Sequence, residues 1–252
     1  MITTVMFDMG GTLEDIFVDD RSEAAAIDRL HEMLTDSCGM SPLVEKETLK
    51  QLVRDGWARY AAYRDMRNVE LKPVEIWSSY ILREVALDKE ALAEQAEAIA
   101  HMWEITYYHR SLRPRVAEML DGLRAMGLHL GVISNTAALY QVFDSLKEYG
   151  IRDYFEDVTL SSVTGIRKPD PEIFHVSLCQ LQAKPQESIY VGDTVSRDII
   201  GSKRAGFARA IQIGSKLTGM KDLGIRREYE PDYRIEDIYE VYPIVQRLVQ
   251  GA

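Results

Sequence analysis

The sequence predicts an α/β protein whose parallel sheet is interrupted, after its first strand, by a long helical insertion. Three observations predict it. The chain opens on a short apolar run, Ile2 with Val5, Met6 and Phe7, that a glycine turn halts in "VMFDMGGTLED". From about residue 128 onward, short apolar runs alternate with helix-length stretches, the signature of βαβ units. Between these two regions lies a segment of helical periodicity with almost no strand character, too long to be a loop between neighbouring strands.

Each element has its own signal. The first run is short and partly β-branched, so it reads as a buried strand, and Asp8 then stands at its carboxyl end, where open α/β sheets bind ligands. In "DDRSEAAAIDRLHEML", Asp20 three residues before Glu23 suggests a capping box. In "LKQLVRDGWARYAAY", Leu49, Leu52, Val53, Trp57, Tyr60 and Ala61 recur at helical spacing, and "DKEALAEQAEAIAHMW" is rich in strong helix formers. A further helix is expected from about Pro114 to Met126, with Pro114 near its first turn, Val116, Met119, Leu120 and Leu123 on one face, and Gly127 just past its end. The strands that follow are "LHLGVIS" (128 to 134), "DVTLSS" (157 to 162), "SIYVGD" (188 to 193) and "ARAIQIG" (208 to 214). The expected division is a core of residues 1 to 15 and 113 to 252 and a helical domain of residues 16 to 112.

Composition narrows the function. The chain of 252 residues is 46% hydrophobic and 28% charged, with a formal net charge of -10, and no basic stripe is visible. A nucleic-acid partner is therefore not expected. No apolar stretch approaches the roughly 18 residues of a membrane span, and no signal-peptide pattern opens the chain. Cys38 and Cys179 lie far apart, so a reduced, cytoplasmic setting is the expectation. The five histidines show no paired ligand spacing, and neither GxGxxG nor GxxxxGK[ST] occurs. The aromatic residues of the insertion fall at helical spacings that suit packing.

Three strand ends carry polar residues: Asp8, Ser134 and Asp193. Singly, each is an ordinary turn or cap residue, and Lys168 in "GIRKPDPEIF" is an ordinary lysine before a helix-starting proline. Together they have a chemical logic. Asp8, Asp193 and Asp198, brought to one sheet edge, would raise one another's pKa unless a cation compensates, and hard oxygen donors favour Mg²⁺. Ser134 and Lys168 would then supply a hydroxyl and a positive charge to an anion beside that metal, the elements of a phosphoryl-transfer site.

At these residues the sequence resembles the haloacid dehalogenase (HAD) superfamily, in the subgroup whose helical cap follows the first strand. The first family motif is matched by Asp8, Met9, Gly10, Gly11, Thr12 and Leu13, and the second by Ser134 in "VISNT". Lys168 before Pro169 matches the third, and "GDTVSRD", Gly192 to Asp198, matches the fourth. The resemblance implies a Rossmann-like core with a helical cap and a Mg²⁺-dependent phosphatase acting on a small phosphorylated metabolite. It implies Asp8, Ser134 and Lys168 as catalytic residues. Metal ligands would be Asp8, the Gly10 carbonyl, Asp193 and Asp198, the last either directly or by orienting Asp193 through water. Gly11, Thr12, Ser134, Asn135 and Lys168 would hold phosphate, with backbone N–H groups of the glycine turn as further donors.

One position departs from the pattern. Family phosphatases carry a second aspartate two residues after the nucleophile, which protonates the leaving alcohol; here it is Gly10. Such a group contributes about 10² to 10⁴ in rate. Two other readings stay open for that reason: cleavage of C–halogen or C–P bonds, the latter needing a cap lysine among Lys46, Lys50, Lys72 and Lys89, and a phosphate-binding or regulatory protein with reduced turnover. The physiological substrate and oligomeric state have no signal in the sequence.

Overall fold

The computed structural model describes residues 1–216, 218, 222 and 229–251. In chain order its main elements are β1 (Thr4–Phe7), β2 (Glu14–Phe17), α1 (Asp20–Ser37), α2 (Lys46–Arg67), α3 (Lys89–Tyr107), β3 (His109–Leu112) and α4 (Val116–Ala125). There follow β4 (His129–Ser134), α5 (Gln141–Glu148), β5 (Asp157–Leu160), α6 (Pro171–Gln180), β6 (Ser188–Gly192), α7 (Ile200–Arg204), β7 (Arg209–Ile213), β8 (Tyr233–Ile235) and α8 (Val241–Gln250). Six strands form one sheet in the order β5-β4-β1-β6-β7-β8, and every pairing in it is parallel.

The first strand is central because its residues are apolar on both faces. Val5 and Phe7 join Leu130, Val132, Ile189 and Val191 in one cluster, while Met6 joins Ile133 and Tyr190 in a second. Side chains alternate across a strand, so these are the two faces of the sheet, each covered by helices. Three neighbouring strands thus run in register, Phe7 standing opposite both Val132 and Val191.

The insertion is helical and holds a core of its own. Leu30 and Leu34 of α1, Leu49, Val53 and Tyr60 of α2, and Ile99 and Trp103 of α3 are buried together with Trp77. This cluster rests on Ala137 and Ala138, just beyond β4. Strand character is present at its two ends, where β2 and β3 pair as an antiparallel ribbon of four residues each. Sequence periodicity misses so short a ribbon, and it misses the three-residue β8 for the same reason.

One local expectation is corrected. The capping box of α1 is formed by Asp19 and Ser22: Ser22 N donates to Asp19 Oδ1 at 2.8 Å and Asp19 N to Ser22 Oγ at 3.2 Å. Glu23 is instead drawn into ion pairs with Lys50 and Arg54, at 3.0 and 2.6 Å, which Asp20 and Glu23 could not both satisfy as a cap. Pro114 stands just before α4, near its first turn, with Arg115 between them in a left-handed conformation, φ 65°.

The far end of α2 is stitched to the sheet domain. Glu70 N donates to the Gly165 carbonyl and Arg167 N to the Asn68 carbonyl, both at 2.9 Å. The buried Glu70 carboxylate accepts from Tyr60 Oη, from Ser161 Oγ at 2.8 Å and from the buried Arg167 guanidinium. Removing one partner of a buried ion pair strands the other charge. Glu70→Ala should therefore lower unfolding free energy by about 3 to 5 kcal/mol in urea titration; a loss below about 1 kcal/mol would show that water reaches Arg167.

Candidate active site

The carboxyl ends of β4, β1 and β6 carry Ser134, Asp8 and Asp193 side by side. Asp8 continues β1 and its N–H donates to the Val191 carbonyl at 2.9 Å, so its backbone is still part of the sheet. Asp198 is delivered by one wide helical turn, Val195–Ile199, whose free N–H groups at Val195 and Ser196 donate to the Asp222 carboxylate at 2.8 and 2.9 Å. The turn folds back so closely that a Cβ on Gly192 would lie 2.3 Å from Asp198 Cβ. Only glycine allows that approach.

Lys168 lies at the centre and is buried. Its Nζ donates to Asp8 Oδ1 and Asp198 Oδ1, each at 2.7 Å, and to the Ile133 carbonyl at 3.0 Å, with Tyr190 Oη also at 3.0 Å. Burial pulls the ammonium's pKa down, but Asp198 and Asp8 outweigh it and leave it above the ordinary lysine value. The converse holds for Asp198. Burial raises its pKa, yet Lys168 and the hydrogen bonds from Thr194 leave it below the ordinary aspartate value. Thr194 supplies those bonds through N at 3.0 Å and Oγ1 at 2.6 Å. Lysine and aspartate are therefore both charged across the neutral range. Tyr190, raised well above its ordinary value by burial and by Asp198, stays a phenol.

Asp8, Asp193 and Asp198 each offer a carboxylate oxygen within 4.8 Å of the others, and all three are buried. Three carboxylates against one ammonium leave two negative charges to be neutralised out of water, which costs several kcal/mol per ion without a partner. A divalent cation with hard oxygen ligands fits this set, and the residues present suit Mg²⁺.

A family model of haloacid dehalogenase-like hydrolases matches residues 2–206. The chain belongs to this family. Within it, the chain is 27% identical over 251 residues to the glyceraldehyde 3-phosphate phosphatase of Methanopyrus kandleri, covering 99% of this chain and 100% of that one. It is 28% identical over 193 residues to the phosphoserine phosphatase of Thermus thermophilus, 74% of this chain and 71% of the other. Among solved structures, the fold is shared with a 2-haloacid dehalogenase from Pseudomonas syringae, with TM-score 0.68, 23% identity, and 98% and 100% of the two chains covered. It is also shared with a HAD phosphatase from Thermococcus onnurineus, with TM-score 0.59, 21% identity, and coverage of 97% and 98%.

Over this hydrolase's acidic cluster opens a cavity of about 580 Å³, roofed by the helical insertion. Asp8, Gly10, Ser134, Asn135, Lys168, Asp193 and Asp198 all line it. The Asn135 side chain is spent on the lysine loop: its Nδ2 donates to the Lys168 carbonyl and its Oδ1 accepts from Lys168 N, both at 3.0 Å. Gly11 and Thr12 lie off the cavity, and their N–H groups donate within the turn, to the Glu14 and Met9 carbonyls at 2.8 and 3.2 Å. The expectation that these amides face a phosphate is corrected: closing the turn uses them. Gly11 instead has φ +91°, and a Cβ there would stand 2.5 Å from Asp193 Oδ2.

Several residues of the site escaped sequence reasoning. Tyr190, Thr194, Asp222 and Ser215, whose Oγ donates to Asp193 Oδ2 at 2.6 Å, hold the carboxylates in place. Tyr190 alone carried a signal, since a tyrosine in a fully buried strand needs a partner for its hydroxyl. Of the aromatic residues expected to pack, Trp57, Trp103, Tyr107 and Tyr108 also line the cavity.

Because Gly11 makes room for Asp193, Gly11→Ala should weaken Mg²⁺ binding by about 10- to 100-fold in calorimetry, the range seen when a ligand's support is displaced. Unchanged affinity with an unchanged circular dichroism spectrum would sink this account of the turn.

Proposed function

We propose that this HAD hydrolase is a Mg²⁺-dependent phosphatase that cleaves a small phosphomonoester through an aspartyl-phosphate on Asp8. The observation that carries the reading is the Lys168 ammonium joining Asp8 to Asp198 directly beneath a substrate-sized cavity. Full-length relatives named as phosphatases support the reaction class. In this reading residues 1 to 15 and 113 to 252 are the catalytic core and residues 16 to 112 the cap, the division falling on the β2–β3 ribbon. A cytoplasmic setting suits the two free cysteines, Cys38 and Cys179, and no helix among the described residues is long and apolar enough to cross a membrane.

The chain's own residues divide the work as follows. A carboxylate oxygen of Asp8 attacks phosphorus while the bond to the leaving oxygen breaks, and the electron pair departs with that oxygen. Lys168 fixes the Asp8 rotamer and, with the Ser134 hydroxyl, offers positive charge and a donor to the phosphoryl oxygens. Asp8, the Gly10 carbonyl and Asp193 would hold Mg²⁺. Asp198, whose oxygens are engaged by Lys168, Tyr190 and Thr194, would act chiefly by positioning. When bound, the metal would neutralise charge on the transferring group. Water then attacks the aspartyl-phosphate, releasing inorganic phosphate and restoring Asp8.

Wild-type protein should hydrolyse p-nitrophenyl phosphate only with Mg²⁺, and Asp8→Asn should lose more than about 10³-fold in kcat. Absence of turnover in the folded wild type would refute the reading. It would favour C–P cleavage, for which one observation speaks: of the four candidate lysines, Lys50 lines the cavity.

The glycine supports a second test. The nearest neighbours of a Cβ on Gly10 would be Glu14 Oε1 at 3.7 Å and Ile16 carbons at 3.9 Å, ordinary contacts, so a Cβ there meets no clash. Gly10→Asp should raise kcat for an alkyl phosphate, whose leaving group needs a proton, roughly tenfold more than for an aryl phosphate. Equal or reduced rates for both would mean that the site is built around the glycine.

A further inference from the structure

Beyond β7 the chain returns to grip the "GDTVSRD" stretch from outside the cavity. Ser215, Thr218 and Asp222 stand three and four residues apart in sequence, and all are half-buried. Ser215 Oγ donates to Asp193 Oδ2 at 2.6 Å and accepts from Thr218 N at 3.1 Å. Thr218 Oγ1 donates to the Asp193 carbonyl at 3.0 Å, and the Thr218 carbonyl accepts from Asp222 N at 3.0 Å. The Asp222 carboxylate then accepts from Val195 N on Oδ2 and from Ser196 N on Oδ1, at 2.8 and 2.9 Å. Val195 is two residues beyond Asp193, so these bonds close a ring.

One set of hydrogen positions satisfies the whole ring. The Ser215 hydroxyl hydrogen goes to Asp193 Oδ2 and that of Thr218 to the Asp193 carbonyl, so the two hydroxyls, 3.0 Å apart, do not compete. The ring holds two carboxylates of the acidic cluster at once. At one end Ser215 fixes Asp193 by one of its oxygens. At the other, Asp222 fixes the turn Val195–Ile199 that carries Asp198, whose own oxygens are taken by Thr194 and Lys168. Neither Ser215 nor Asp222 lines the cavity, so neither meets a substrate there. Their influence has to pass through the carboxylates.

We propose that Ser215 and Asp222 are positioning residues that hold Asp193 and Asp198 as one hydrogen-bonded unit, and that Mg²⁺ affinity reports whether the unit is closed. The proposal rests on the Mg²⁺-dependent reading above and extends it to residues outside the cavity. A cation gains most from carboxylates already aimed at it, and groups that aim a ligand typically contribute about 10- to 100-fold in affinity. Because the ring is continuous, opening it at either residue frees both ends, so the two losses overlap instead of adding.

The test is calorimetric titration with MgCl₂ alone, reading Kd and stoichiometry separately. Ser215→Ala and Asp222→Ala should each raise Kd about 10- to 100-fold. Ser215→Thr keeps the hydroxyl and should recover part of the loss. So should Asp222→Asn, which keeps an acceptor oxygen for the turn but not the negative charge, and so separates capping from simple attraction of the cation. The double alanine variant should bind no more than about threefold more weakly than the weaker single variant, where independent residues would multiply their effects. Misfolding lowers the stoichiometry and leaves Kd standing. Wild-type Kd in both alanine variants, Asp222→Asn as weak as Asp222→Ala, or multiplied losses in the double variant would each overturn the proposal. Should the wild type bind no Mg²⁺, the reading above fails by itself, and crystal structures of the metal-free variants decide the positioning role. Asp193 and Asp198 carboxylates displaced by about 1 Å or more in both alanine variants would uphold it, and unmoved carboxylates would overturn it.

Discussion

A buried ammonium between two buried carboxylates organises this molecule. Lys168 meets Asp8 and Asp198 at 2.7 Å each, and none of the three could be charged there alone, since an isolated ion in such surroundings changes its protonation state instead. The rest of the site follows from keeping them together. Asp8 is fixed by the sheet, Asp198 by a turn that Gly192 permits and Asp222 caps, and Lys168 by a loop that Asn135 clasps through both of its side-chain atoms. Backbone elements of different kinds are thus held to one geometry by hydrogen bonds that would be wasted in any other.

The same loop couples the acidic cluster to the helical insertion. Arg167 precedes Lys168 and pairs with Glu70, which in turn accepts from Tyr60 of α2. A displacement of the insertion at this end is therefore transmitted to the residue beside the lysine, through a buried network in which every polar group has a costly alternative. At the other end the insertion leaves by the short ribbon of β2 and β3, whose Glu14 is buried beneath Gly10 and held by Arg110 and by Tyr149 Oη at 2.9 Å. Burial raises the Glu14 pKa against the pull of Arg110. Where family phosphatases carry a catalytic acid, this chain has a glycine bordered by an ion-pair network.

Charge placement gives the cavity its character. The chain is acidic as a whole, yet the cavity that holds the carboxylate cluster is also lined by guanidinium groups from both the insertion and the sheet domain. An acidic exterior repels other polyanions, and an interior of fixed cations retains a small one, a division that favours compact phosphorylated molecules over nucleic acid.

Much of this was legible in the residues themselves. The run before Asp8, the alternation after residue 128 and the helical spacing between them determine an α/β chain with an inserted helical segment, because period and turn chemistry are local properties. Asp8, Ser134 and Asp193 at strand ends, Lys168 before a proline and Asp198 in "GDTVSRD" were candidates as a set, though each alone is an ordinary residue. Their convergence on one cavity, the cap of α1 at Asp19 in place of Asp20, and the inward use of the Gly11 and Thr12 amides were decided only by the tertiary structure. So were the supporting Tyr190, Thr194 and Ser215. Sequence spacing carries information over a turn or two of backbone; which charges face each other across a cavity depends on how distant elements pack, and that is set by the whole core at once.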